Sequence, residues 1–200
     1  MNTKRVKLIS NIETPRLILR PIALSDAEVY FEAEKASMKE LLPYWSWAKF
    51  GRSINDIKKF IRNALEDHEK VRPAQLFFSV FSKKYNKFLG IIWFFEINWY
   101  VPYFEIDGWL DTRETGKGYM TEAINALSRA CFLVNDAKRI QAKIFVNHNI
   151  SKSILARLKF KQEGEMENYF YNFSTRKITN GLLYSCCSVE NLPPLEIKVE

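Results

Sequence analysis

A chain of 200 residues, 47% of them hydrophobic, fits one domain with a sizeable buried core. Its opening, MNTKRVKLIS, is charged and has no apolar run of signal-peptide length, and no later stretch approaches the ~20 apolar residues that span a bilayer. A membrane or secreted protein is therefore not expected, and a soluble cytoplasmic one is. The net charge of +7 and pI near 9.2 suit a polyanionic partner, yet Lys and Arg are scattered rather than gathered into an arm or stripe, which argues against a nucleic-acid module.

Residues 14–22, TPRLILRPI, alternate as a strand does, and Ser25 and Asp26 offer an N-cap for a helix to about Ser37. Residues 38–52 mix aromatics with Pro43 and Gly51 without a sustained period and read as a loop. Ser53 caps a second helix in which Ile54, Ile57, Ile61 and Leu65 recur at spacings of three and four, ending near Val71. Three β-branched or aromatic runs follow, 76–81, 88–97 and 103–110, separated by turn-forming segments as in an antiparallel meander. Met120, Ala123, Ile124, Leu127, Cys131 and Val134 line one face of a third helix; 139–146 reads as a strand, 151–158 as a helix, and 165–173 and 178–188 as strands. Residues 189–200, with Pro193 and Pro194, are expected to be an irregular tail on a single domain with its core at about 12–188. Cys131, Cys186 and Cys187 are an odd set without metal-ligand spacing and are expected to be reduced thiols.

The most informative segment is RETGKGYMTEA, residues 113–123, a glycine-spaced turn running into the third helix. Gly116 and Gly118 can take positive φ and let a ligand oxygen approach the main chain, while the helix start directs unpaired amides and its positive dipole end outward. It is neither a Walker loop, since Lys117 is followed by Gly118, nor a dinucleotide fingerprint. RETGKGYMTEA resembles the acetyl-CoA pyrophosphate loop of the GNAT acetyltransferase superfamily, with Arg113, Gly116 and Gly118 at the motif positions. Residues 14–188 follow the GNAT order of elements, and TPRLILRPI, EIDGWLD and VNHNISKSILARLKFKQEG are similar to the branch of ribosomal-protein serine and alanine N-acetyltransferases.

The resemblance implies an α+β, sandwich-like GNAT fold: a mixed, mostly antiparallel seven-stranded sheet flanked by about four helices. It implies acetyl-CoA as acyl donor and a protein or peptide amine as acceptor, in a monomer or homodimer. Trp109, Leu110 and Asp111 would offer main chain to the pantetheine arm, and Arg113, Glu114, Thr115, Gly116, Lys117, Gly118 and Tyr119 would hold the pyrophosphate. Glu105 would be the general base, with solvation or an ion pair with a neighbouring lysine as the structural alternative for it and for Asp107. Asp107, on the same strand face, stands where this branch has glycine and would narrow the acceptor site; two carboxylates so placed raise each other's affinity for protons. Many relatives donate a proton from a tyrosine, but Ala156 occupies that position here; Ser151 would take the role, with helix capping as its structural alternative. His148 replaces the family asparagine, leaving Asn147 or Asn149 to meet coenzyme, and Lys159 replaces a glycine. His148 is expected in solvent rather than as a base, and with His68 on a charged helical face no metal site is expected. Tyr44, Trp45 and Trp47 fall where this branch carries an acceptor-binding loop, and packing of that loop on the core is the alternative. Other acceptors open to such an enzyme are polyamines or antibiotics, and a coenzyme-binding regulator without turnover is the reading from another class.

Overall fold

The computed structural model describes residues 6–200; the first five residues of the charged opening lie outside the described residues. One sheet runs β7-β8-β6-β5-β4-β3-β2-β1-β9. Its strands are β1 (Ile12–Glu13), β2 (Leu17–Pro21), β3 (Leu76–Ser82), β4 (Lys87–Asn98), β5 (Tyr103–Leu110), β6 (Arg139–Phe145), β7 (Lys161–Asn172), β8 (Lys177–Cys186) and β9 (Lys198–Val199). Every neighbouring pair is antiparallel except β5 and β6. The helices are α1 (Ala27–Leu41), α2 (Ile54–His68), α3 (Tyr119–Asn135) and α4 (Asn149–Arg157).

The seven expected strands are present, and two more close the far edge. The irregular tail expected at 189–200 is thereby corrected. Leu192 is buried, the Asn125 side-chain amide and Arg129 guanidinium donate to the Pro193 carbonyl, and β9 pairs with β1. Paired prolines mark a break in regular structure, but they do not say whether the chain leaves the core.

Strand alternation splits the side chains between two cores. Phe104, Ile106 and Leu110 pack with Ala126, Leu127 and Ala130 of α3, whereas Trp109 packs with Tyr30 of α1 and Ile57 and Ile61 of α2. Helix α1 runs four residues beyond Ser37 because Leu41 joins the second core, so the expected loop starts later and contains a short 3-10 turn at Ser46–Lys49. Helix α2 begins as expected: the Asp56 N–H donates to Ser53 Oγ and the Ser53 N–H to Asp56 Oδ2.

The strands part at one place. Parallel pairing between β5 and β6 covers only Tyr103–Arg139, Phe104–Ile140 and Glu105–Gln141, although β5 continues to Leu110 and β6 to Phe145. A wedge-shaped gap therefore opens toward the strand ends, flanked by the N-termini of α3 and α4.

Candidate active site

The turn before α3 has the left-handed backbone that its glycines permit, with φ of +77° at Gly116 and +79° at Gly118. A Cβ built on Gly116 meets no atom within 4 Å, so this face of the turn is open to a ligand. Residues 115–118 are all exposed, and Tyr119 opens the helix with Gly118 as its N-cap. Cationic groups ring the turn. Arg16 donates to the Lys117 carbonyl at 3.0 Å, pairs with Glu122 and lies 5.0 Å over the Tyr119 ring. Arg113 pairs with Asp111 at 2.6 Å, while Glu114 accepts from both Lys87 and Lys117. Each partner holds Arg113 and Lys117 more firmly protonated and the carboxyls of Asp111 and Glu114 below their usual range. Glu114, expected among the phosphate-holding residues, fastens two lysines, and Thr115 Oγ1 donates back to the Thr112 carbonyl. An open glycine turn, exposed helix amides and surrounding cations fit a diphosphate.

The gap beside this turn has one polar lip. The Asp111 N–H donates to the Leu89 carbonyl on the β4 side at 2.8 Å. By strand alternation Trp109 faces β4 as well, so Gly108 and Leu110 turn their main-chain groups toward the gap. Of the three residues expected to offer main chain there, only Leu110 has the right orientation, and Gly108 joins it. Trp109 is 4% exposed, packed edge-on against Tyr30 at 5.3 Å.

Glu105 and Asp107 share the α1–α2 face of β5 but not their surroundings. Glu105 is buried, ion-paired with Lys143 at 2.7 Å and hydrogen-bonded by the Gln141 amide at 3.0 Å. Burial pushes its carboxyl up against the opposing pull of Lys143, while the pair holds Lys143 firmly charged. Asp107 is half-buried opposite Trp93, and among the described residues its one hydrogen bond comes from the Gly108 N–H at 2.7 Å. Desolvation, with Glu105 adding to it and the Gly108 N–H opposing, pushes its carboxyl up to about 7.

The aromatic loop arches over this face. Trp45 touches Trp93 of β4 and stacks on Trp47, whereas Tyr44 meets Phe145 of β6 at 5.1 Å, so the loop straddles β5. A main-chain bond from the Phe173 N–H to the Pro43 carbonyl ties it to the turn between β7 and β8. Below Trp47 lies the Arg52 guanidinium, 4.4 Å from its ring, paired with buried Glu34 and donating to Tyr30 Oη. Tyr44, Trp45 and Trp47 are all half-buried, so each packs on the protein and still presents a face.

At the start of α4 the sequence reading needs correction. The N-cap is His148, not Ser151, which lies inside the first turn. His148 is not in solvent: its ring is half-buried, 4.4 Å from the Tyr44 ring centroid, with Nδ1 2.5 Å from Ser151 Oγ. Burial lowers its pKa and favours the neutral ring. Asn147 and Asn149 are both exposed, flanking it. The sequence reading also passed over Arg16, Lys87, Trp93, Gln141 and Lys143. The motif TPRLILRPI contains Arg16, but its alternation signals only a strand, and the others depend on strand register. Among the described residues no group of three or more histidine, cysteine or acidic side chains is disposed to hold a metal, and the three cysteines are free. No helix there is long and apolar enough to cross a membrane.

The family model of the acetyltransferase (GNAT) domain matches residues 16–161. The chain belongs to the GNAT acetyltransferases. This membership makes it an acetyltransferase whose acyl donor is acetyl-CoA, in keeping with the open glycine turn. Solved structures agree in fold. The ribosomal L7/L12 alpha-N-protein acetyltransferase RimL in complex with coenzyme A superposes with a TM-score of 0.80 at 20% identity, over 88% of this chain and 96% of that one. The microcin C7 self-immunity acetyltransferase MccE, in complex with acetyl-CoA and AMP, gives 0.79 at 23% identity, over 87% and 93%. The ribosomal-protein-S5-alanine acetyltransferase from Vibrio fischeri gives 0.78 at 23%, over 92% and 99%. No curated protein matches the sequence of this GNAT acetyltransferase.

Proposed function

We propose that this GNAT acetyltransferase acts in the cytoplasm on the free α-amine of a polypeptide, of the ribosomal-protein kind, by direct attack on the thioester of acetyl-CoA. The observation that carries the reading is the position of Asp107, a carboxyl on the face covered by the aromatic loop, next to the gap between β5 and β6; desolvation there raises its affinity for protons. The amine must lose a proton before or during attack, and a base works best when its pKa lies near that of its partner and the working pH. An α-ammonium titrates at roughly 7.7–8.0, close to Asp107; a lysine or polyamine ammonium, at about 10.4, is mismatched by about three units. The base role assigned from resemblance to Glu105 passes to Asp107, since a proton on Glu105 would break its buried pair with Lys143. Half-buried tryptophan and tyrosine faces suit a peptide backbone and its side chains. Protonation of the departing sulfur falls, in this reading, to Ser151 in the first turn of α4.

Thiol release from acetyl-CoA tests the reading against peptides with free and blocked N-termini, polyamines and aminoglycosides. Turnover on free α-amines is expected, with kcat/KM rising as the pH passes upward through about 7, and Asp107→Asn should lower kcat by about 10²–10⁴. Turnover confined to polyamines, or an Asp107→Asn enzyme of ordinary speed, would reject it. A second reading rests on the stacked rings of Trp45 and Trp47, centroids 6.1 Å apart. Flat faces of this kind suit a nucleobase, and the structurally similar MccE is in complex with acetyl-CoA and AMP. Faster turnover on aminoacyl nucleotides than on peptides would favour this small-molecule acceptor.

A further inference from the structure

The first turn of α4 contains two side chains whose arrangement goes beyond capping. A residue at the N-cap normally turns its side chain to the helix amides. His148, at that position, makes no such bond and instead meets Ser151 Oγ through Nδ1 at 2.5 Å. Its ring is held from the other side by Tyr44, and the His148 N–H donates to the Phe145 carbonyl. His148 is thus fixed by the elements that bound the gap, β6 and the aromatic loop, and holds the Ser151 hydroxyl in turn.

We propose that His148 and Ser151 form a two-residue proton relay to the coenzyme sulfur, with His148 a positioning residue that acts through the serine hydroxyl. The proposal rests on the acetyl-transfer reading of the same site. A neutral ring with its proton on Nε2 accepts the hydroxyl hydrogen at Nδ1, whereas a neutral ring with its proton on Nδ1 donates to Oγ and leaves the hydroxyl hydrogen free for the gap. In the imidazolium, Nδ1–H donates to Oγ, and the hydroxyl hydrogen is released toward the gap. The hydroxyl is therefore a donor to sulfur whenever Nδ1 carries a proton, in the imidazolium or in the Nδ1–H form of the neutral ring. As the C–S bond of the tetrahedral adduct breaks, its electron pair stays on sulfur. The thiolate then takes the Ser151 proton, Oγ takes the Nδ1 proton, and water supplies a proton to the ring, at Nε2 when the ring starts neutral. The amine proton leaves separately through Asp107, so the sum is amine plus thioester giving amide plus thiol. Burial favours the neutral ring, which makes its charged form a readier proton donor than an exposed imidazolium.

The test needs no acceptor. Free coenzyme A is the probe: calorimetry measures its affinity, and thiolate ultraviolet absorbance measures the pKa of its bound thiol. A relay aimed at sulfur stabilises the bound thiolate, so the bound thiol should be more acidic than free coenzyme. Ser151→Ala and His148→Gln should each raise its pKa by about one unit, a tenfold loss of acidity. The double variant should equal either single one, because His148 acts only through the hydroxyl. Affinity should change less than threefold. Unshifted thiol acidity in a variant that binds coenzyme normally, or shifts that add in the double variant, would overturn the relay alone. Failure of the unmodified protein to bind coenzyme would overturn both the relay and the acetyltransferase reading. Ser151→Ala removes one atom from an intact helix turn, so the test stands even if a His148 variant folds poorly.

Discussion

Asp107 and Glu105 are alike in sequence and in strand face, and their neighbours make them different acids. Glu105 has Lys143 within 2.7 Å; Asp107 has burial and one amide. A carboxyl whose pKa is about 7 in the folded protein and roughly 3.9 unfolded contributes its full stability only below the lower value and loses it as the pH rises through the upper one. Asp107→Asn is therefore expected to raise the melting temperature relative to the unmodified protein at about pH 8 and to leave it nearly unchanged below about pH 4. An equal effect at both ends would mean that Asp107 titrates normally. At the phosphate turn, Gly116→Val puts a branched side chain into the open face at a φ of +77° and should weaken coenzyme binding at least about tenfold, ~1.4 kcal/mol, by calorimetry. The two residues differ in how far the sequence reveals them. Gly116 could be read directly, because positive φ is a local demand that only a few residue types meet. The sequence shows that Asp107 and Glu105 share a face, but their division of roles depends on Lys143, supplied by a strand that pairs in parallel across an intervening helix.

Helix α4 shows the same division between local and distant information. Its C-terminus is a Schellman motif: the Phe160 N–H donates to the Leu155 carbonyl, the Lys159 N–H to that of Ala156, and Lys159 sits at φ 58°, a conformation that glycine adopts most readily. Lys159→Gly should remove left-handed strain of about 1–2 kcal/mol against roughly 0.5–1 kcal/mol of added chain entropy, giving a neutral or slightly stabilised protein in denaturant titration. At its N-terminus the sequence favoured Ser151 as the cap, since the best capping residue in the segment is there. Packing of His148 on Tyr44 starts the helix earlier, and no local pattern announces that contact. The aromatic loop depends on a buried charge in the same way. Arg52→Ala would leave Glu34 buried without its partner and Trp47 without its platform, and should cost about 3–5 kcal/mol in thermal or chemical unfolding.

At the scale of the molecule, the order of strands and helices was readable because each long element repeats with its own period. The edge of the sheet was not readable, since β1 and β9 have two residues each and no period can be seen in so few. Tertiary contacts hold them in place, above all Leu192, 3% exposed beneath the tail. Leu192→Ala is expected to destabilise the protein by about 2–4 kcal/mol, measured by urea unfolding; a loss below about 0.5 kcal/mol would mean that the tail is dispensable. If Asp107 is the base, as proposed, the strap from Trp93 through Trp45 and Tyr44 to Phe145, fastened to Phe173, bears on which amines can reach it. A lysine on a folded surface brings a whole globule with it and would collide with such a bridge, whereas a loose chain end is only as wide as an extended strand. Selection by girth would then precede any reading of side chains, and an enzyme so built would leave internal lysines of folded proteins untouched.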